Sequence, residues 1–308
     1  MVRLESGALL GTVICFMAMK PLLLHMTKAD AMPGEYFQLV AEGLKLSLCG
    51  AILAGKRALG WPALLWRGWR HTAAFAMPAA IYLLMNVLTV RCARVLSPPI
   101  FQLVANTKIL LTALASWALL ARELTRAQWM SMGLLTVGVT LGQWKGTGDG
   151  ELEAPIFGVL LLVFCAMLSA LGGVCTERVL KAPESRDLSI FATNVQLATH
   201  TLLLNGIVIW ARGLPVPAMP DSWCAAALLN EAGNGVLISL VMRRMDSISK
   251  NFAFSMSVFV TAGASAAFLS YRPRLQFFVG ALLTTVSVLM FASWGAPTPH
   301  TVKETKMK

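Results

Sequence analysis

Apolar runs of about 20 residues recur along the whole chain, and short segments with charged residues, glycine and proline separate them. A helix of about 20 residues is long enough to cross the ~30 Å hydrocarbon core of a bilayer. The pattern therefore predicts an all-α membrane protein with about ten transmembrane helices. The predicted spans are residues 6–27, 35–55, 72–91, 98–121, 127–144, 156–176, 188–210, 222–242, 251–270 and 275–294.

Composition and charge agree with a protein that is surrounded by a lipid bilayer. The 308 residues are 56% hydrophobic and 13% charged, whereas soluble domains are about 25% charged. A net charge of +11 would favour a nucleic-acid partner for a soluble chain, but here the basic residues gather in short loops. Sixteen Lys and Arg residues fall on the side of the N-terminus and seven on the opposite side. This asymmetry predicts that both termini are cytosolic, and we expect no nucleic acid as a partner.

The sequence contains no arrangement typical of an enzyme or a metal site. The six cysteines form no C-x-x-C pair, the four histidines are isolated, and the common phosphate-loop, metalloprotease and serine-hydrolase motifs are absent. We therefore expect no catalytic residue, no metal and no cofactor.

The two halves of the chain resemble each other at an offset of 149 residues. Residues 112–120 and 134–139 match residues 261–269 and 283–288 at most positions. Each half then holds five spans, and because five is odd, the second half crosses the membrane in the opposite direction. The prediction is a five-plus-five inverted repeat, with a first repeat at 1–145, a short non-cytosolic linker at 146–155, a second repeat at 156–295 and a cytosolic tail at 296–308.

Three lysines, Lys20, Lys45 and Lys108, lie deep inside predicted spans. A lysine at the centre of a membrane helix costs about 2.5–3.5 kcal/mol on insertion scales, so it usually faces an acid or a wet cavity. Glu42 lies three residues before Lys45 and could neutralise it, while Glu231 could balance a lysine or carry a proton. Lys108 lies ~15 Å deep in its span, too deep to reach either surface easily.

Polar side chains share the same spans, and together with the lysines they predict a hydrated path for a polar anion. They include Asn86, Ser169 and Asn194.

Several blocks of the sequence resemble the Golgi nucleotide-sugar transporters of the CMP-sialic acid and UDP-galactose type, within the drug/metabolite transporter superfamily. The blocks follow the family's order and spacing over most of the chain, at residues 42–46, 100–108, 112–114, 124–129, 138–145, 173–181 and 246–252. The resemblance implies ten helices in an inverted repeat, a place in the Golgi membrane or the endoplasmic reticulum, and exchange of a cytosolic nucleotide sugar for the luminal nucleoside monophosphate. The Gly-Ala-Leu-Asn-Lys motif of GDP-mannose carriers is absent, which favours a UDP- or CMP-sugar.

By position, the resemblance implies that Lys108 and Lys250 face the phosphate of the nucleotide. It also implies a cavity lined by Lys45, Tyr82, Asn86, Phe101, Ser169 and Asn194. Candidates for gating or charge balance are Glu42, Glu177 and Glu231.

The chain departs from the family pattern at positions that would hydrogen-bond the base or sugar. Phe101 and Ala198 replace tyrosines, and Cys175 and Thr176 replace a Tyr-Phe pair. Two alternatives therefore stay open: a carrier of another small anion or metabolite from the same superfamily, or a non-transporting scaffold or regulator of glycosylation. A second copy of the chain and a glycosyltransferase are the candidate protein partners.

Overall fold

The computed structural model describes residues 2–27, 32–60, 67–96, 98–143, 155–217, 219–268 and 274–294. These residues form helices and short connections, with no strand among them, so the all-α prediction is confirmed. The helices are α1 (Val2–Met26), α2 (Gly34–Ala58), α3 (Trp69–Ala74), α4 (Ala76–Val95), α5 (Pro98–Asn106), α6 (Lys108–Leu120), α7 (Arg126–Gln143), α8 (Ile156–Lys181), α9 (Ile190–Ala211), α10 (Ser222–Arg244), α11 (Ser247–Phe268) and α12 (Leu275–Trp294). The predicted tail at 296–308 and all but the last residue of the predicted linker at 146–155 lie outside the described residues.

Polar side chains set where several helices begin. Asp221 accepts a hydrogen bond from the backbone N–H of Cys224 at 2.8 Å at the start of α10. At the start of α7, Thr125 and Gln128 exchange two bonds between backbone N–H groups and side-chain oxygens, as in a capping box. These bonds satisfy N–H groups that have no partner within the first helical turn, so they fix where each helix starts.

Two predicted spans are broken helices. The third is interrupted at Phe75, between α3 and α4, and the fourth at Thr107, between α5 and α6. The Thr107 hydroxyl donates to the carbonyl of Val104 at 2.6 Å, on the N-terminal side of the second break. This break places Lys108 at the first position of α6.

Seven helical stretches of the described chain are long and apolar enough to cross a membrane, which makes this a multi-pass membrane protein. They are Ser6–Met26, Gly34–Ala58, Trp69–Thr89, Leu103–Leu120, Ile156–Lys181, Ser222–Arg244 and Leu275–Ser293. Helices α7, α9 and α11, which the sequence also predicts as spans, are 18, 22 and 22 residues long but are not among the seven. In α9 the polar side chains Asn194 and Gln196 are buried, so this helix turns part of its polar surface toward the protein.

Helices from the first half of the chain pack against helices from the second half. Helix α2 packs against α9 and α10, α1 against α10 and α11, α4 against α8 and α9, α6 against α8 and α11, and α7 against α12. Much of the protein interior therefore lies between the halves.

The contact between α7 and α12 depends on small residues. A Cβ atom added to Gly280 would lie 2.4 Å from the backbone nitrogen of Gly142 and 2.6 Å from the carbonyl oxygen of Gly138. The Ser287 hydroxyl donates to the carbonyl of Ser131 at 2.5 Å in the same contact. Small residues let membrane helices approach backbone to backbone, so this pair joins the two halves closely.

Candidate functional site

Lys108 lies against an aromatic ring from the second half of the chain. Its Nζ atom is 3.9 Å from the centroid of the Phe254 ring in α11. A cation over a ring face is attracted by the ring quadrupole, by about 0.5–2 kcal/mol depending on exposure. The contact holds the half-buried Lys108 side chain between α6 and α11.

Lys250 lies in the first turn of α11 and approaches the backbone of α8. A Cβ atom added to Gly173 would lie 3.2 Å from Lys250 Nζ, so the absence of a side chain at this position leaves room for the ammonium group. Tyr82 of α4 packs at the neighbouring position, because a Cβ atom on Gly172 would lie 3.2 Å from the tyrosine ring. Lys250 thus packs against Gly173 of α8, and Tyr82 packs against the neighbouring Gly172.

The two lysines form a positively charged site. Lys250 is close enough to Lys108 for their charges to repel each other. Within the described residues, no carboxylate forms an ion pair with either ammonium group. Two neighbouring cations without a counter-ion are electrostatically suited to an anion.

The other two intramembrane lysines are neutralised by carboxylates. Lys45 Nζ lies 2.6 Å from Glu42 Oε2, and both residues are buried. Lys20 of α1 pairs with Glu231 of α10 at 3.0 Å, which joins the two halves of the chain. Glu42 and Glu231 thus each balance one lysine.

Glu177 lies at the end of the bundle that the charge distribution predicts to be cytosolic. One of its oxygens accepts from the backbone N–H of Ser247 at 2.7 Å, and the other pairs with Lys181 at 2.7 Å. Asp246 pairs with Arg122 at 2.8 Å at the same junction between α10 and α11. The junction is therefore held both by α8 and by the loop between α6 and α7.

An apolar cluster lies beside these polar links. Phe75, Val179, Leu180 and Met242, from the α3–α4 break, α8 and α10, are buried against one another. Side chains from three parts of the chain meet here, so the described helices pack tightly against one another at this end of the bundle.

The remaining predicted cavity residues occupy different environments. Ser169 is half-buried in α8 and Asn86 is exposed on α4. Phe101 packs against the buried cluster formed by Ile100, Cys165 and their neighbours. The structure therefore brings Lys250 and Tyr82 against α8, holds Lys108 over Phe254 of α11, and places Phe101 in an apolar layer.

Asn194 is buried with both of its polar atoms bonded. Its amide nitrogen donates to the carbonyl of Ile190 at 2.9 Å, and its oxygen accepts from the hydroxyl of Ser239 at 2.9 Å. In this arrangement the side chain links α9 to α10.

A family model described as "Nucleotide-sugar transporter" matches residues 39–292, which is most of the chain. The chain belongs to the nucleotide-sugar transporter family. The relatives of this chain are therefore transporters and not enzymes.

Curated relatives carry names of the same kind. The chain is 32% identical to "CMP-sialic acid transporter 1" of Arabidopsis thaliana, over 76% of this chain and 71% of that protein. It is 30% identical to "CMP-sialic acid transporter 1" of Oryza sativa subsp. japonica, over 82% of each chain. It is 32% identical to "Probable UDP-sugar transporter protein SLC35A4" of Sus scrofa, again over 82% of each chain.

The fold is also similar to a solved crystal structure. At 17% sequence identity the two chains superpose with a TM-score of 0.68, over 96% of this chain and 99% of the other.

Two contributors to the lysine site of this family member were not predicted as site residues. Phe254 is an ordinary apolar residue in sequence, and nothing local distinguishes it from a lipid-facing phenylalanine. Gly172 and Gly173 could have been identified from the sequence, because two adjacent glycines inside an apolar span allow another group to approach the helix backbone closely.

Proposed function

We propose that this protein is an antiporter that moves a pyrimidine nucleotide sugar from the cytosol into the lumen of the Golgi or endoplasmic reticulum and returns the nucleoside monophosphate. The observation that carries the proposal is the pair Lys108 and Lys250. Lys108 lies over Phe254, one turn after Lys250 on α11, and neither lysine pairs with a carboxylate in the described chain. A nucleotide phosphate supplies the missing negative charge and several hydrogen-bond acceptors.

The exchange mechanism follows from the same electrostatics. Two like charges at one site repel each other most strongly when the site is shut off from water, as it is midway between its two orientations. A phosphate in the site removes this repulsion, so the loaded protein changes conformation at a lower free energy than the empty one. This difference favours exchange of one nucleotide for another over the return of an empty carrier.

The proposal includes the ten-span inverted repeat. At the 149-residue offset α1 corresponds to α8, α4 to α10 and α6 to α11. In an inverted repeat the contact of α1 with α10 therefore has the contact of α8 with α4 as its counterpart, and the contact of α1 with α11 has that of α8 with α6. Both members of each pair occur, and the contacts of α2 with α9 and of α7 with α12 convert into themselves. Inverted repeats of this kind place the substrate between the halves.

Alternating access requires that the packed end at Glu177 opens. In our proposal the Arg122–Asp246 ion pair, the hydrogen bond from Ser247 N–H to Glu177 and the cluster around Met242 separate when the site faces the cytosol. Glu177 then acts as a gate residue, because its bond to Ser247 holds the start of α11, the helix that carries Lys250.

The pyrimidine base is proposed from the relatives. The three relatives described above are named for CMP-sialic acid or UDP-sugars, and both are pyrimidine nucleotides.

Exchange in proteoliposomes tests the proposal. Purified protein is reconstituted in vesicles that contain CMP or UMP, and uptake of labelled CMP- and UDP-sugars is measured against empty vesicles. We expect uptake that depends on the internal nucleotide. No exchange with any nucleotide sugar would contradict the proposal; binding without exchange would favour a scaffold, and competition by other anions alone would favour a different cargo.

A further inference from the structure

Two buried oxygen atoms on α10 lack a hydrogen-bond donor. They are Glu231 Oε2, on the carboxylate whose other oxygen pairs with Lys20, and Asn234 Oδ1. Asn234 is only 6% exposed. A buried acceptor without a partner destabilises the protein unless another molecule supplies the donor. This part of α10 can therefore accept hydrogen bonds from a ligand.

The face of α10 that carries Glu231 points into the protein. Gly235, one turn further on, receives Lys45 of α2, since a Cβ atom there would lie 3.0 Å from that side chain. Ser239, one more turn along, bonds to Asn194 of α9, and Met242 packs against α8. Residues 231, 235, 239 and 242 share one face of α10, and this face contacts three other helices, so it lies in the protein interior.

Asn234 lies next to Glu231 on the side of α10 that faces α1. Asn230 lies one turn before Asn234, and its amide nitrogen donates to the carbonyl of Phe16 in α1 at 3.0 Å. The two asparagines therefore face the same helix, but Asn230 has a hydrogen-bond partner for its amide nitrogen, whereas the oxygen of Asn234 has none in the described chain.

The charges around the two oxygens cancel. Lys20 balances Glu231, and Lys45 balances Glu42. This region therefore does not attract an anion as the Lys108 and Lys250 pair does. It offers hydrogen-bond acceptors in a neutral setting, together with the ring of Phe37, whose centroid lies 5.7 Å from Lys20 Nζ.

We infer that Glu231 and Asn234 form the subsite for the sugar of the transported nucleotide sugar, separate from the lysines that hold its phosphate. This inference rests on the proposed function. Sugar hydroxyl groups donate hydrogen bonds, and a carboxylate with an adjacent amide oxygen accepts them from neighbouring hydroxyls. At the 149-residue offset Glu231 corresponds to Tyr82, which lies beside the Lys250 site in the other half.

The inference separates two ligands that share the same phosphate site. A nucleotide sugar occupies both subsites, whereas a nucleoside monophosphate occupies only the lysine site. Changes at Asn234 therefore alter affinity for the nucleotide sugar and leave affinity for the monophosphate unchanged.

Asn234→Leu is the primary test variant because it removes the unpartnered oxygen and leaves every ion pair intact. We expect the KM and the Kd for the nucleotide sugar to rise about 10-fold, as expected for one lost hydrogen bond to a neutral or charged partner. The values for CMP or UMP should stay the same. Thermal stability of the unliganded protein should be unchanged or higher, because an unsatisfied buried polar atom is removed. Glu231→Gln made together with Lys20→Gln removes both charges of that ion pair and should weaken nucleotide-sugar binding in the same selective way.

Asn230→Leu is the matched control, since it changes the same residue type one turn away on the same helix. We expect it to lower stability through the lost bond to Phe16 without changing the ratio of the two affinities. If it does not fold, Glu35→Gln at the exposed pair with Arg212 replaces it.

Two results would overturn the sugar subsite: unchanged affinities in both Asn234→Leu and the double variant Glu231→Gln with Lys20→Gln, or equal losses for nucleotide sugar and monophosphate. Failure of the proposed function is distinct, because the unmodified protein would then exchange no nucleotide sugar for monophosphate, whether or not it binds them.

Discussion

Four lysines of the helical bundle fall into two kinds. Lys20 and Lys45 each pair with a carboxylate, whereas Lys108 and Lys250 lie near each other with an aromatic ring and a glycine backbone as neighbours. The first two are neutral units that can remain in the membrane at all times. The second two have no carboxylate partner in the described chain, so their ammonium groups are stabilised only as far as water or an anion reaches them. The comparison teaches that position inside an apolar helix does not separate the two kinds of lysine, whereas the presence or lack of a carboxylate partner does.

The largest expected effect is on stability, at the buried pair. Glu42→Gln leaves Lys45 buried without its carboxylate and should reduce the free energy of unfolding by about 3–5 kcal/mol. The double variant Glu42→Gln with Lys45→Gln removes both charges and should recover most of the loss. Thermal unfolding in detergent measures both. Equal instability of the single and double variants would show that this pair is not the neutral unit described here.

The next effect is on binding, at the unpaired lysines. Lys108→Ala should raise the Kd for nucleotide by about 10- to 100-fold, because a hydrogen bond between charged groups contributes about 1.5–3 kcal/mol. Stability should not fall by a comparable amount, since removal of one cation relieves its repulsion with Lys250. Lys56→Ala is the control, because Lys56 also lies over a phenylalanine, Phe191, at 5.4 Å. Full affinity of the Lys108 variant would remove this lysine from the mechanism.

A smaller effect is expected at the ring beneath Lys108. Phe254→Leu preserves an apolar side chain but removes the ring face, worth about 0.5–2 kcal/mol to the cation. Nucleotide affinity should fall by about 2- to 10-fold as Lys108 loses its fixed position. Equilibrium binding by thermal shift would measure it. An effect as large as that of Lys108→Ala would mean that the ring itself contacts the nucleotide.

The smallest effect is expected at an ion pair near the helix ends. Glu35→Gln breaks the pair with Arg212, which is 50% exposed in its side chain. Exposed pairs contribute about 0–1 kcal/mol, so stability and exchange should both stay close to those of the unmodified protein. A loss of stability as large as that expected for Glu42→Gln would contradict the view that buried ion pairs contribute more to stability than exposed ones.

The interior of the site was harder to predict than its lysines. Lys108 and Lys45 stand out in sequence because a charge inside an apolar run is rare. The pairing of Lys45 with Glu42 was also readable, since residues three apart share a helix face. The pairing of Lys20 with Glu231 was not, because these residues lie in different halves of the chain and only the packing of α1 against α10 brings them together.

The sequence by itself determined the helices, their membrane character and the family, because hydropathy and family motifs are read along the chain and need no knowledge of packing. Only the tertiary structure decided which lysines are neutralised, that Phe254 lies over Lys108, that Asn194 is bonded to Ser239, and that Glu231 and Asn234 hold unpartnered oxygens. The reason is that the state of a buried polar group depends on which atoms lie within a few ångströms. Here those atoms come in large part from the other half of the chain.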